Sequence, residues 1–122
     1  MWMKNIIDVS NLPKGGPYSH AVINNDIIFV SGQAGQNESN KNVFNKQFEN
    51  AIEKIKIILE NAGSSLEKVL KVSVYLSDRK YFNEMNELFK KYFSKAPPAR
   101  TTLITSFVDE YILIEIDVIA AK

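Results

Sequence analysis

Two residues of this 122-residue chain stand in settings that ask for a chemical reason. The first is Arg100, in the stretch APPARTTL, behind Pro97 and Pro98 and ahead of a run with strand character. Lysine is the default cation here: of fifteen basic residues only Arg79 and Arg100 are arginines. A lysine is a flexible point charge, whereas a guanidinium is a flat fork of donors that matches a carboxylate in two places. The second is Glu115, which interrupts the apolar run YILIEIDVIAA. A carboxylate in such a strand is costly unless it is paired or solvated. Two readings stand side by side. Arg100 and Glu115 form a structural ion pair or sit on a wet surface, or else Arg100 is a carboxylate clamp with Glu115 as an acid–base or water-holding group beside it.

Other groups could join such a site. FVSGQ places Ser31 and Gly32 at a strand end, where a free N–H and a hydroxyl would hold a polar ligand. GGPYS supplies Tyr18, an aromatic wall with a polar tip. The single histidine, His20, reads as a packing or hydrogen-bonding residue. There is no metal-ligand spacing, no phosphate-binding glycine fingerprint and no signature of a serine triad.

The elements that must position these groups follow from periodicity. KNIIDV reads as a short strand, and HAVINNDIIFVSGQAG as a hairpin turning at Asn24–Asp26. Phe44, Phe48, Ala51, Ile52, Ile55, Leu59 and Ala62 then repeat at helical spacing up to Gly63. Val72, Val74 and Leu76 alternate with Lys71, Ser73 and Tyr75, predicting a half-buried strand. A second helix starts near Arg79 with Phe82, Met85, Phe89 and Phe93 as its apolar stripe, and Pro97–Pro98 close it. Two strands finish the chain, the last with Ile112, Ile114, Ile116 and Val118 on one side. The expected fold is α+β, order β-β-β-α-β-α-β-β, one domain over 1–122, with two helices on one face of a mixed sheet. The other face carries Leu113, Ile119 and Tyr75 with Glu115 and Asp117, a mixture that suggests burial against another subunit.

Composition narrows the partners. Fifteen basic residues nearly cancel fourteen acidic ones, so nucleic acid is not the expected partner, which would demand clustered positive charge. Cysteine is absent, which excludes thiolate chemistry and disulfides. MWMKNIIDVS lacks the pattern of a signal peptide, and no apolar run reaches the ~20 residues that cross a bilayer. A cytoplasmic protein without membrane contact is expected.

At the residues singled out above the chain becomes familiar. GGPYSHAV resembles the GPYSQAV signature of the RidA/YjgF family of reactive enamine/imine deaminases, also called the endoribonuclease L-PSP family. The likeness continues through IIFVSGQAG, NAGSSLEKVLKVSVYLSD and FNEMNELFKKYFSKAPPARTTL to IEIDVIAA, in the family's order. It implies a chorismate-mutase-like fold of ferredoxin-like βαβ layers and a homotrimer with ligand sites between subunits. It also implies hydrolysis of 2-aminoacrylate and related enamines or imines to 2-keto acids and ammonia, with no cofactor and no metal. Carried over by motif, Arg100 would hold the substrate carboxylate by a bidentate pair and Glu115 would orient the attacking water or relay its proton. Tyr18, Ser31, Gly32 and Asn86 would line the pocket with Thr102, which stands where many members have cysteine. His20 replaces the usual glutamine of the signature. Two other functions compete: a non-catalytic module that binds small keto acids, which would keep Arg100 but not depend on Glu115, and an RNA-cleaving translation inhibitor.

Overall fold

The computed structural model describes residues 4–122, and residues 1–3, part of the stretch read above for a signal peptide, lie outside the described residues. The chain runs β1 (Asn5–Ile7), β2 (Ala21–Asn24), β3 (Ile27–Ala34), α1 (Phe44–Asn61), β4 (Val69–Leu76), α2 (Phe82–Tyr92), β5 (Ala99–Ile104) and β6 (Ile114–Ala121). Six strands form one sheet in the order β1-β2-β3-β6-β4-β5. The pairings are antiparallel except β4 with β5, which is parallel and is joined through α2. The expected α+β order is the one found.

Local chemistry sets the ends of these elements. Asn25 turns the β2–β3 hairpin at φ 54°, a left-handed value that asparagine tolerates. Gly63 ends α1 at φ 82°, and the Ser64 N–H reaches back to the Leu59 carbonyl at 2.8 Å. A short 3-10 turn over Arg79–Tyr81 precedes α2, with the Asp78 side chain accepting from the Lys80 N–H at 2.8 Å.

The core lies between the sheet and the two helices. Phe48, Ile52, Ile55, Ile58 and Leu59 from α1 pack with Ile28, Val72, Val74, Leu76, Ile114 and Ile116 of the sheet, all fully buried. Each contributes roughly 1.5–3 kcal/mol of apolar burial before entropy is counted. Two sequence expectations need correction here. Phe82 opens α2 on its outer side and is 41% exposed, so the buried stripe begins at Met85. Ile112 precedes β6 and does not share its buried face, which runs Ile114, Ile116, Val118 and Ala120. The loop before β6 holds Ile112 at the edge of a cleft instead.

Candidate functional site

Glu115 and Gly32 define the centre of this site. Along β3 the register with β6 slips between Val30, opposite Val118, and Gln33, opposite Ile116. Three steps on β3 thus match two on β6, a bulge that falls on Ser31 and Gly32. A bulge re-aims the backbone, and at Gly32 the absence of a side chain leaves the space that Glu115 fills. A Cβ on Gly32 would lie 2.9 Å from Glu115 Cδ and 3.3 Å from Cγ. The carboxyl is half-buried and its pKa is raised above the usual carboxylate range, by desolvation first and the negative charge of Asp117 second. Asp117 in turn accepts from the Tyr75 hydroxyl at 3.0 Å.

Around Glu115 opens a cleft of about 320 Å³, lined by Gly32, Tyr18, Lys14, Lys54, Gln36 and Ile112 among others. Tyr18 stands at its mouth, with its hydroxyl accepting from the Gly15 N–H at 3.0 Å and its own proton free to donate outwards. Two residues hold the loop that carries it. Ser31 donates its hydroxyl to the Ser19 carbonyl at 2.6 Å and its N–H to the His20 carbonyl at 2.9 Å. Both donors of Ser31 are therefore engaged inside the chain, and Ser31 braces Tyr18's neighbour. His20 is 1% exposed and lies off the cleft. Its Nδ1 accepts from the Val9 N–H at 2.9 Å, and Nε2 faces the Pro13 carbonyl at 3.4 Å. A carbonyl only accepts, so the ring is the neutral Nε2–H tautomer and ties the loop at both ends.

Arg100 is elsewhere. In the ladder it opposes Val72, a residue buried under the helices, so its side chain belongs to the helix face of the sheet. Glu115 opposes Tyr75, which alternates with the buried Val74 and Leu76 and belongs to the other face. Parity alone thus keeps the two apart within one chain, and neither the structural ion pair nor an adjacent clamp is formed. Arg100 Nη1 instead meets Met85 Sδ at 3.5 Å, and its guanidinium lies 4.8 Å from the Phe89 ring centroid. Among the described residues no carboxylate comes within 4.0 Å of it. Burial lowers its pKa with no acid to oppose the shift. Thr102, two positions on, opposes Val74 on the same face, and its buried hydroxyl has no hydrogen-bond partner. Asn86 follows Met85 on α2, half-buried. Of the predicted residues, Tyr18, Gly32 and Glu115 line the cleft and Ser31 ties the Tyr18 loop, whereas Arg100 and Thr102 lie on β5 and Asn86 on α2.

Sequence reasoning passed over Lys54 and Gln47. Lys54 lies three residues after Ala51 and four before Ile58, at the border of α1's buried stripe, and that spacing was its available signal. Its ammonium reaches the Ala34 carbonyl at 2.9 Å, opposite Glu115 in the ladder. Gln47 is fully buried and donates to the Asn40 and Tyr111 carbonyls at 3.0 and 2.9 Å, while its Oε1 accepts from the Leu113 N–H at 2.9 Å. It fixes the chain two residues before Glu115. Among the described residues no group of three or more His, Cys, Asp or Glu side chains is gathered for a metal, and no helix is long and apolar enough to cross a membrane.

Comparison with known proteins finds relatives along nearly the whole chain. A family model described as Endoribonuclease L-PSP matches residues 9–122. A RutC family protein of Saccharolobus solfataricus is 45% identical over 98% of this chain and 99% of its own. A Rid protein family member from Yersinia pestis superposes with a TM-score of 0.87 at 31% identity, covering 98% of this chain and 100% of that one. RidA from an Antarctic Psychrobacter superposes with a TM-score of 0.82 at 33% identity over 90% and 92% of the two chains. The fold is the chorismate-mutase-like one of these neighbours.

Proposed function

The chain belongs to the endoribonuclease L-PSP family, the YjgF/Rid proteins, and from that premise we propose that it is a deaminase. It hydrolyses small enamines and imines such as 2-aminoacrylate to 2-keto acids and ammonia. The observation that carries this reading is Glu115, a carboxyl of raised pKa seated over Gly32 in a cleft sized for a small molecule. A carboxyl poised nearer neutrality gives and takes protons in one turnover. The enamine first becomes the imine by protonation at carbon. Water then adds to the imine carbon, whose nitrogen still carries the extra proton, while Glu115 takes one proton of the water. That proton is passed to the carbinolamine nitrogen, ammonia leaves, and the hydroxyl proton is released to solvent as the keto group forms. Tyr18 donates to the substrate from the cleft mouth.

The carboxylate clamp comes from a second copy. Arg100 sits on the edge strand, on the face away from its own Glu115, with its fork unclaimed by any acid among the described residues. A homotrimer sets Arg100 of one subunit against the Glu115 cleft of the next, with Asn86 and the unpartnered Thr102 hydroxyl alongside. The open sheet face supports such assembly, since Phe29 and Leu103 are 47% and 52% exposed on it. The protein works without a cofactor of its own, and its cysteine-free composition suits the cytoplasm.

A trapping assay tests the reading. A dehydratase generates 2-aminoacrylate from serine in semicarbazide, and the trapped adduct is followed with and without this protein. The adduct should fall with wild type and persist with Arg100→Ala and with Glu115→Gln. A folded wild-type oligomer that leaves the adduct untouched would sink the deaminase and favour the keto-acid-binding module. Ribonuclease chemistry is disfavoured by the burial of the single histidine, whose two ring nitrogens are already engaged.

A further inference from the structure

Two lysines line the Glu115 cleft, and they differ in one respect. Lys14 is neutralised by Asp8, whose carboxylate lies 2.9 Å from its Nζ. Lys54 has no such partner: among the described residues no carboxylate comes within 4.0 Å of its Nζ. Among the described residues its ammonium hydrogen-bonds to the Ala34 carbonyl alone, at 2.9 Å. An ammonium has three N–H donors, so two remain to be used. The side chain is half-buried, and burial lowers its pKa with nothing acidic to restore it. Holding a cation partly out of water without a counter-charge is unfavourable. A protein that needed only the bond to Ala34 could have used a neutral amide at this place. The bond to Ala34 also fixes where the ammonium stands, because that carbonyl is at the end of β3, directly across the ladder from Glu115. The cleft thus has an acid–base carboxyl at Glu115 and an anchored cation at Lys54 on the same wall system, separate enough that they do not pair.

We propose that Lys54 forms a subsite for a second carboxylate, so that the preferred substrates are the imines of dicarboxylic amino acids. This rests on the deaminase reading for the imine itself, where Arg100 of a neighbouring subunit takes the carboxylate next to the reacting carbon. Lys54 then grips the carboxylate at the far end of the side chain, and the reacting carbon lies between the two cations, within reach of Glu115. Monocarboxylic imines leave the Lys54 ammonium unpaired and so bind less well.

The test separates the subsite from the chemistry by using product analogues that need no turnover. Affinities for 2-oxoglutarate and for 2-oxopentanoate, which has a methyl group in place of the terminal carboxylate, are measured by calorimetry on the wild-type oligomer. The same pair is measured on Lys54→Gln and Lys54→Arg. Wild type should prefer 2-oxoglutarate by about tenfold or more, the size of one charge-assisted hydrogen bond. The ratio should fall towards one in Lys54→Gln and be kept in Lys54→Arg. Equal affinities in wild type, a preference that survives in Lys54→Gln, or binding of neither keto acid overturns the proposal. Turnover of the imines of glutamate and norvaline, made by an amino-acid oxidase in semicarbazide, is followed in parallel. No turnover of either imine alongside an intact keto-acid preference overturns the deaminase and upholds the subsite.

Discussion

Gly32→Ala is the sharpest perturbation available, because the missing side chain at that position is what lets Glu115 stand where it does. The new Cβ would lie 2.9 Å from Glu115 Cδ, and nearer than that to Oε2. The obstructed atoms are the far end of a flexible side chain, and Gly32 does not have a left-handed φ, so the backbone accepts alanine. Relief comes by swinging the carboxyl away. Forcing it off its preferred rotamer costs about 0.5–1.5 kcal/mol. Restricting the unfolded chain by Gly→Ala returns about 0.4–1 kcal/mol. Stability should therefore change by no more than about 1 kcal/mol, a shift in Tm of about 4 °C or less either way. Catalysis should suffer far more, since displacing a catalytic group by about 1 Å costs on the order of a hundredfold in rate. The assays are thermal unfolding and imine turnover in semicarbazide on the same preparation. Wild-type turnover in Gly32→Ala would refute the placement of the reaction at Glu115. Loss of several kcal/mol of stability would refute the claim that the glycine serves the site and not the fold.

The remaining predictions concern the other groups of the site. Arg100→Lys keeps the charge and loses the fork, so turnover should drop by one to two orders of magnitude, the size of a charge-assisted bond, with the melting temperature and the oligomer unchanged; an unimpaired variant would remove Arg100 from the site. Glu115 holds its proton more tightly in the fold than the ordinary value of 4.5 implies. Its contribution to stability is therefore complete below that value and is lost as pH rises through the raised one, so Glu115→Gln should flatten this part of the melting profile. Asp117→Asn removes the secondary cause of the shift and should move the acid limb of the pH–rate profile to lower pH; an unmoved limb would mean that another group controls it. His20→Gln can still accept from Val9 and donate towards Pro13 and should be nearly neutral, whereas His20→Ala forfeits both bonds and should cost about 2–4 kcal/mol in chemical unfolding.

Much of the architecture was legible in the residues themselves. Helical spacing from Phe44 to Ala62 and strict alternation from Ile114 to Val118 state which side of each element meets the core, because period and side-chain direction are properties of a single element. Gly63 marks the end of α1 for an equally local reason, whereas α2 ends at Tyr92, short of the Pro97–Pro98 pair that could only bar its continuation. Tyr18, Gly32 and Glu115 were named together from the sequence, and they do share a cleft. The relation of Arg100 to Glu115 was beyond local reasoning. It depends on β6 entering the sheet between β3 and β4, and on β5 pairing in parallel on the far side of β4, in a register that sets Arg100 opposite Val72 and Tyr75 opposite Glu115. A slip of one residue in either pairing would have put the two groups on the same face. The bulge that spends Ser31 on the Tyr18 loop and clears Gly32 for a carboxylate is likewise a property of two strands together. So is Lys54: its residue type marks a polar position at the border of a helix stripe, but only the packing of α1 against the end of β3 brings its ammonium to the Ala34 carbonyl, with no carboxylate within 4.0 Å among the described residues. Composition and spacing determine what each element can offer; pairing register and helix packing decide which offers meet.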